Sequence, residues 1–131
     1  MKISNKPAEI HVDPKGFVML TIAGDLLEKQ MPDFDEALKA GSELICGLSE
    51  KQGAKVKVLM DVSAFSGNYT AEAVERLVDF AASNVPFVER SASFGGNEKV
   101  RAAGEIARAL ANRDNIAIFD TKAKAMKWLG I

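Results

Sequence analysis

Residues 56–70 read Val-Lys-Val-Leu-Met-Asp-Val-Ser-Ala-Phe-Ser-Gly-Asn-Tyr-Thr, and this stretch is the strongest single guide to the fold. Its first seven residues are apolar except for Lys57 and Asp61, a composition typical of a strand covered on both faces. We therefore predict a central β-strand over residues 56–62. Residues 63–69 are rich in serine, glycine and asparagine, which favours a loop. Thr70 is then the predicted N-cap of a helix whose apolar residues recur at helical spacing.

A β-hairpin is predicted at the start of the chain. Residues 8–13 alternate between polar and apolar side chains, as expected of a half-exposed strand. The turn Asp13-Pro14-Lys15-Gly16 follows, in which proline presets φ and glycine tolerates a positive φ. Residues 17–23 are more uniformly apolar, so we predict that they form the second, more buried strand of the hairpin.

Capping signals place the ends of the helices. The first helix is predicted to start at Asp33, with Glu36 completing a capping box, and to stop at Gly53. Asn84 and Pro86 are predicted to end the second helix. Thr121 is the predicted N-cap of the last helix.

The second half of the chain alternates between strands and helices. Residues 88–94 form the least regular strand, because serines stand where β-branched residues are usual. Gly95-Gly96-Asn97 turns the chain into a third helix, and residues 116–119 form a short buried strand before the last helix. The residues predicted to face inward from the third helix are Val100, Ala103, Ile106, Ala107 and Leu110.

The predicted element order is therefore β-β-α-β-α-β-α-β-α in one α/β domain over residues 1–131. Alternation of strands and helices after an opening hairpin implies a mostly parallel sheet with one antiparallel strand, because each crossover connection returns right-handed. We find no internal repeat or linker that would divide the chain.

Composition narrows the class of protein. The chain has 131 residues, 47% hydrophobic and 27% charged, with a formal net charge of −1, which suits one globular domain and offers no basic face for nucleic acid. Cys46 is the single cysteine, so the sequence predicts no intrachain disulfide, and we expect no metal site and no cofactor. Without a signal-peptide run or an apolar stretch long enough for a transmembrane segment, a cytoplasmic protein is expected.

Two predicted strand-to-helix connections contain the candidate binding residues. Because neighbouring parallel strands end at the same edge of a sheet, we expect loops 63–70 and 94–98 to lie side by side, where ligands of open α/β sheets bind. Helix N-termini there favour anions, and paired glycines allow close approach. Ordinary loop and cap preferences explain the same residues without a ligand. The candidate residues are Ser63, Phe65, Ser66, Gly67, Asn68, Tyr69, Thr70, Gly95, Gly96 and Asn97.

Other chemically distinctive residues have simpler interpretations. His11 is predicted to lie on the polar side of an edge strand, and without a Gly-x-Ser-x-Gly elbow no catalytic triad is indicated. Cys46 is predicted to be a partly buried thiol at the edge of a helix. Phe65 and Tyr69 either cover a pocket, form an exposed patch or tuck back onto the sheet, and an exposed pair would favour a homodimer. Trp128 is predicted to seal the core beneath the last helix.

The element order resembles the SpoIIAA-like fold of STAS domains, and three stretches carry the resemblance. The local pattern is similar to the bacterial SpoIIAA-like branch grouped with STAS/SEC14-type proteins. None of the stretches is a catalytic signature. They are Val58-Leu59-Met60-Asp61-Val62-Ser63-Ala64-Phe65-Ser66-Gly67, the segment around Gly95-Gly96, and Phe119-Asp120-Thr121 followed by Ala125-Met126-Lys127-Trp128-Leu129.

The resemblance implies a candidate phosphoacceptor. In anti-sigma-factor antagonists of this fold, the segment after the central strand holds a phosphorylated serine, usually preceded by Asp and followed by Gly. Ser66-Gly67 would occupy that place here, with Phe65 where the Asp is expected. Ser63, which follows Asp61 closely, is a second candidate.

The function expected from these observations is that of a non-enzymatic regulatory or binding module. It would engage a protein partner or a small anionic or amphipathic ligand through loops 63–70 and 94–98. One alternative is a phosphorylation-switched protein of the anti-sigma-factor-antagonist kind. The other is a lipid or hydrophobic-ligand carrier, which the SEC14 side of the resemblance implies and which requires an apolar cavity.

Overall fold

The computed structural model describes residues 7–111 and 114–131, and within them five strands and four α-helices alternate along the chain. The N-terminal residues 1–6, where no signal peptide is expected, lie outside the described part. The elements are β1 (Ala8–Val12), β2 (Val18–Leu26), α1 (Met31–Gln52), β3 (Val56–Tyr69), α2 (Ala71–Ser83), β4 (Val88–Phe94), α3 (Glu98–Ala111), β5 (Ile116–Phe119) and α4 (Lys122–Leu129).

The strands form one sheet in the order β1-β2-β3-β4-β5. β1 pairs antiparallel with β2 across the Asp13–Gly16 turn, where Gly16 has a φ of +90°. The pairs β2–β3, β3–β4 and β4–β5 are all parallel. The α/β class, the element order and the N-terminal antiparallel hairpin predicted from the sequence are confirmed.

Helices cover both faces of the sheet, three on one and one on the other. α1, α2 and α3 pack side by side on one face, and α4 packs against β3, β4 and β5 on the other. Val58 of β3 belongs to the core beneath α1, whereas Leu59 belongs to the core beneath α4. β3 is therefore buried on both faces, which accounts for its nearly continuous apolar sequence.

The predicted helix caps are confirmed except at the start of α1. Gly53 ends α1 with a φ of +65°, and Thr70 and Thr121 accept hydrogen bonds from the first turns of α2 and α4. However, α1 begins at Met31 rather than at Asp33. A 3-10 turn over Glu28–Gln30 runs directly into α1, and the Leu27 N–H donates to the Gln30 side chain (2.9 Å). The Asp33 carboxylate therefore lies inside the first turn, where the helix dipole favours it.

α3 is rotated relative to the prediction. Val100 and Ala103 are buried as expected, but Ile106 and Leu110 are 47% and 61% exposed. α3 packs beside α2 and over the sheet, and its inner side carries small residues instead. A Cβ on Gly104 would lie 3.1 Å from the Ile118 Cδ1, so glycine lets α3 approach β5 closely at this position.

Candidate functional site

β3 continues through the segment that was predicted to be a loop. It extends to Tyr69, because β2 also continues beyond its predicted end to Leu26 and supplies partners for it. Gly24 pairs with Phe65 and Leu26 with Tyr69. The prediction of a loop over residues 63–69 is therefore wrong. Their weak strand propensity is outweighed by pairing with a neighbouring strand, which no local pattern reveals.

A bulge interrupts this extension and gathers polar side chains around Asp25. Between the two paired positions, Ser66, Gly67 and Asn68 of β3 stand opposite the single residue Asp25 of β2. The Ser66 hydroxyl and the Asn68 Nδ2 both donate to Asp25 Oδ1, at 2.5 and 3.1 Å, and the Asn68 N–H donates to Ser66 Oγ at 3.1 Å. A bulge of this kind re-aims side chains without ending the sheet.

Lys99 connects the bulge to the start of α3. Its Nζ donates to Asn68 Oδ1 at 2.9 Å, so Asp25, Ser66, Asn68 and Lys99 form one chain of hydrogen bonds across two strands and a helix. Hydrogen bonds from Ser66 and then Asn68, with a smaller contribution from the charge of Lys99, hold the pKa of Asp25 below its usual value. Asp25 and Lys99 were not among the predicted site residues.

The two glycines before α3 bring the two predicted segments into direct contact. Gly95 and Gly96 have φ values of +87° and +79°. A Cβ on Gly95 would lie 2.8 Å from the Cβ of Ser63, and a Cβ on Gly96 would lie 3.4 Å from the carbonyl oxygen of Val62. A Cβ on Gly67 would likewise lie 3.2 Å from the Lys99 Cδ. Segments 63–70 and 94–98 are thus side by side, as their positions at neighbouring strand ends require.

The remaining polar residues of the two segments have local structural roles. Asn97 Oδ1 accepts from the Val100 N–H at 3.0 Å and caps α3, and Thr70 Oγ1 accepts from the Ala73 N–H at 3.2 Å and caps α2. Ser63 donates through both its hydroxyl and its N–H to Asp61 Oδ1. Ser63 and Ser66 are both exposed, each with its hydroxyl bound to a carboxylate. Phosphorylation of either serine stays a prediction.

The aromatic residues Phe65 and Tyr69 tuck back onto the sheet. Both are half-buried and pack against the core that includes Leu26, Phe34 and Leu38. Both side chains also border a cavity. Phe65 and Tyr69 therefore combine two of the three arrangements left open by the sequence, packing on the sheet and covering a pocket. An exposed aromatic pair, from which a homodimer was inferred, is not what the structure contains, and the homodimer stays a prediction.

That cavity, which the sequence did not predict, lies between the sheet and the helices α2 and α3. Its volume is about 140 Å³, and its lining is almost entirely apolar. Small side chains on both sides create it, because serines on β4 face glycine and alanines on α3. The only sequence signal was the presence of serines in place of β-branched residues in strand 88–94. Residues bordering the cavity include Met60, Leu77, Ser91, Ser93, Arg101, Gly104, Ala107 and Ile118.

The structure gives the other distinctive residues the roles expected of them. His11 is exposed on β1, at the edge of the sheet. Cys46 is partly buried, its Sγ lies 3.6 Å from the Glu50 carboxylate, and burial followed by the Glu50 charge raises the pKa of its thiol. Trp128 packs on the core beneath α4, beside Phe119 and with the Arg90 guanidinium 5.0 Å from its ring centre.

Residues 7–111 and 114–131 contain no group of three or more His, Cys, Asp or Glu side chains able to hold a metal ion. None of the helices described is both long enough and apolar enough to cross a bilayer.

The sequence matches the SpoIIAA-like family model over residues 17–130, which covers every element except β1. The chain therefore belongs to the SpoIIAA-like family. No curated protein matches the sequence.

Solved structures agree on the fold. An uncharacterised protein of the DUF3478 family with a SpoIIAA-like fold, from Shewanella loihica PV-4, superposes with a TM-score of 0.60 at 16% identity, over 98% of both chains. The anti-sigma factor antagonist SpoIIAA, in its unphosphorylated form, gives 0.59 at 11% identity, over 94% of this chain and 97% of its own. The protein TM1081 gives 0.57 at 19% identity, over 99% and 92%. At these identities the likeness concerns the fold alone.

Proposed function

We propose that the chain is a non-enzymatic regulatory module that binds a protein partner through the surface formed by residues 63–70 and 94–98 together with Asp25 and Lys99, here called the bulge surface. The chain belongs to the SpoIIAA-like family and shares its fold with the anti-sigma factor antagonist SpoIIAA. The observation that carries the proposal is the hydrogen-bond chain Asp25–Ser66–Asn68–Lys99, which joins the two segments into one exposed polar surface.

The chemistry of the bulge surface suits recognition rather than catalysis. Its carboxylate, Asp25, is held in the charged form by its donors and is therefore a weak general base. The hydroxyls of Ser63 and Ser66 donate to carboxylates, and the one histidine, His11, lies two strands away from β3 at the edge of the sheet. Fixed donors and acceptors on a rigid strand and a helix start are, in contrast, what a specific polar interface needs.

Charge reversal at Lys99 tests the proposal. A partner is first captured by cross-linking in cells that produce the protein, and its affinity for the purified chain is then measured by calorimetry. Lys99→Glu breaks the hydrogen bond to Asn68 and places a negative charge beside Asp25, so binding is expected to weaken roughly tenfold or more. Lys127→Glu makes the same charge change on exposed α4, on the other face of the sheet, and is expected to bind like the wild type.

Two results would contradict the bulge surface as the interface. The captured partner could bind Lys99→Glu with unchanged affinity, or it could lose affinity for Lys127→Glu instead. Circular dichroism of each variant checks that a loss of binding does not come from a loss of fold.

The cavity favours a second candidate, a carrier of a small hydrophobic ligand. A mostly apolar space of about 140 Å³, partly open to solvent, suits that function. An engineered cavity of roughly the same size, about 150 Å³, holds a benzene molecule. A ligand retained during purification would appear in native mass spectrometry as extra mass that is lost when the protein is denatured.

A further inference from the structure

The floor of the cavity carries two hydroxyl groups that the chain itself does not use. Ala92 and Phe94 belong to the core beneath α4, so Ser91 and Ser93, which alternate with them, point to the opposite face and border the cavity. Within the described residues, neither hydroxyl takes part in a hydrogen bond, although a polar group beside apolar walls loses free energy without one. Two open hydroxyls therefore face a space otherwise lined by apolar groups.

A cation borders the same space and has no carboxylate partner there. Arg101, on the first turns of α3, lines the cavity, and its guanidinium forms no ion pair or hydrogen bond with any residue of the described segments. The nearby acid Asp120 is influenced by Arg101 but is paired with Lys124 at 3.0 Å. Arg108, the other arginine at the cavity, is occupied, since its Nε donates to the Ile116 carbonyl at 2.8 Å.

Cavity size limits the ligand to a small one. About 140 Å³ has room for roughly six non-hydrogen atoms of a ligand, judged by the benzene-sized cavity of similar volume. The walls provided by Met60, Leu77 and Ile118 suit a chain or ring of carbon atoms. The polar groups of Ser93 and Arg101 suit one anionic head.

We infer that the cavity binds a small monocarboxylate, with its hydrocarbon part between α2, α3 and the sheet and its carboxylate held by Arg101 and the Ser93 hydroxyl. This inference rests on the carrier candidate and gives its ligand class. Phe65 and Tyr69 border both the cavity and the bulge surface, but the proposed head residue Arg101 has no part in the hydrogen-bond chain of Lys99, so the two sites can be tested with separate variants.

Three linear six-carbon probes with different head groups test the inference: hexanoate, 1-hexanol and hexylamine. Binding is followed by the amide chemical shifts of the isotope-labelled protein. Hexanoate is expected to shift the amides of residues 91–93 and 101–107 with a Kd of about 1 mM, a value reasonable for eight or so non-hydrogen atoms. Hexanol is expected to bind roughly tenfold more weakly, and hexylamine is expected to cause no shift there, because its ammonium meets Arg101.

Variants separate the head site from the hydrocarbon site. Arg101→Gln is expected to weaken hexanoate about tenfold and to leave hexanol unchanged, while Lys127→Gln on α4 changes neither. Ala107→Leu fills the cavity and is expected to abolish binding of both probes. Ser91→Val is a smaller filling change that serves the same purpose if Ala107→Leu does not fold, as judged from the dispersion of its amide spectrum.

Each failure has a distinct meaning. Equal binding of hexanoate and hexanol, both lost in Ala107→Leu, would overturn the carboxylate assignment and leave the hydrophobic carrier standing. No shift at the cavity with any probe would overturn both the carboxylate assignment and the carrier candidate. Shifts by hexanoate confined to residues 95–99 would assign anion binding to the bulge surface and overturn the cavity site.

Discussion

Asp25 accepts from two side chains of β3 and lies within the electrostatic reach of Lys99. Its pKa is lowered in the folded protein, chiefly by the Ser66 hydroxyl, so the folded state binds the proton less readily than the unfolded chain does. A carboxyl with a depressed folded pKa contributes stability above its unfolded pKa. That contribution is lost as the pH falls through the folded pKa.

Asp25→Ala is therefore expected to lower the melting temperature at pH 7 by a few degrees, with a smaller difference from the wild type in acid. The difference in melting temperature should be fully present above about pH 5. It should close as the pH falls below about 4 and through the lowered pKa of the folded-state carboxyl, because Asp25 of the wild type then becomes protonated. Thermal unfolding of both proteins at pH 7, 5 and 3 measures it. A gap of the same size at all three pH values would show that the Asp25 charge does not contribute.

Local sequence signals were reliable at most helix ends, the start of α1 excepted. Thr70 and Thr121 cap their helices and Gly53 ends α1 as predicted, because a cap depends on residues within one turn. The extension of β3 through residues 63–69 could not be predicted, since Ser66, Gly67 and Asn68 are poor strand residues. It exists through pairing with Leu26 and hydrogen bonds to Asp25, more than forty residues away in the chain.

The turn between β4 and α3 depends on glycine at Gly95, for two separable reasons. Its φ of +87° is unfavourable for other residues, and its Cα lies against the backbone of Ser63. Gly24 has a φ of +70° but has nothing within 4 Å of where a Cβ would be. Both positions thus require a left-handed backbone, whereas only Gly95 also lies in close contact with Ser63.

Gly24→Ala is accordingly expected to cost about 1–2 kcal/mol of unfolding free energy, the cost of a left-handed conformation alone. Gly95→Ala should cost that amount and about 1–3 kcal/mol more, because its Cβ would meet Ser63 Cβ at 2.8 Å and Ser63 Cα at 3.0 Å. Urea unfolding gives both values when the m-value is unchanged. Equal losses in the two variants would mean that the contact with Ser63 relaxes freely.

The two faces of the sheet are packed differently. Beneath α4, large side chains such as Phe17, Phe94 and Leu129 fill the space, whereas beneath α2 and α3 small residues leave the cavity open. The sequence could not show this. Ser93 on β4 and Gly104 and Ala107 on α3 are each unremarkable, and the cavity results from their facing one another across the interior.

An open cavity lowers stability, so filling it should raise stability at the expense of binding. Ser93→Val replaces an unpaired hydroxyl with two methyl groups near Met60, and is expected to raise the unfolding free energy by about 1 kcal/mol. Chemical denaturation of the ligand-free protein measures the change. A loss of stability would indicate that the Ser93 hydroxyl is satisfied in solution and that the space around it is not empty.

Because the two faces of the sheet are packed separately, the tyrosine and the tryptophan of the protein lie in different surroundings. The chain contains one tyrosine and one tryptophan. Tyr69 borders the cavity, whereas Trp128 is enclosed with Phe119 and Arg90 on the far side of the sheet. The ultraviolet absorbance of the phenol therefore responds to molecules that enter the cavity, and the emission of the indole reports the loss of the whole fold. Binding and unfolding are thus readable at different wavelengths from one unlabelled sample.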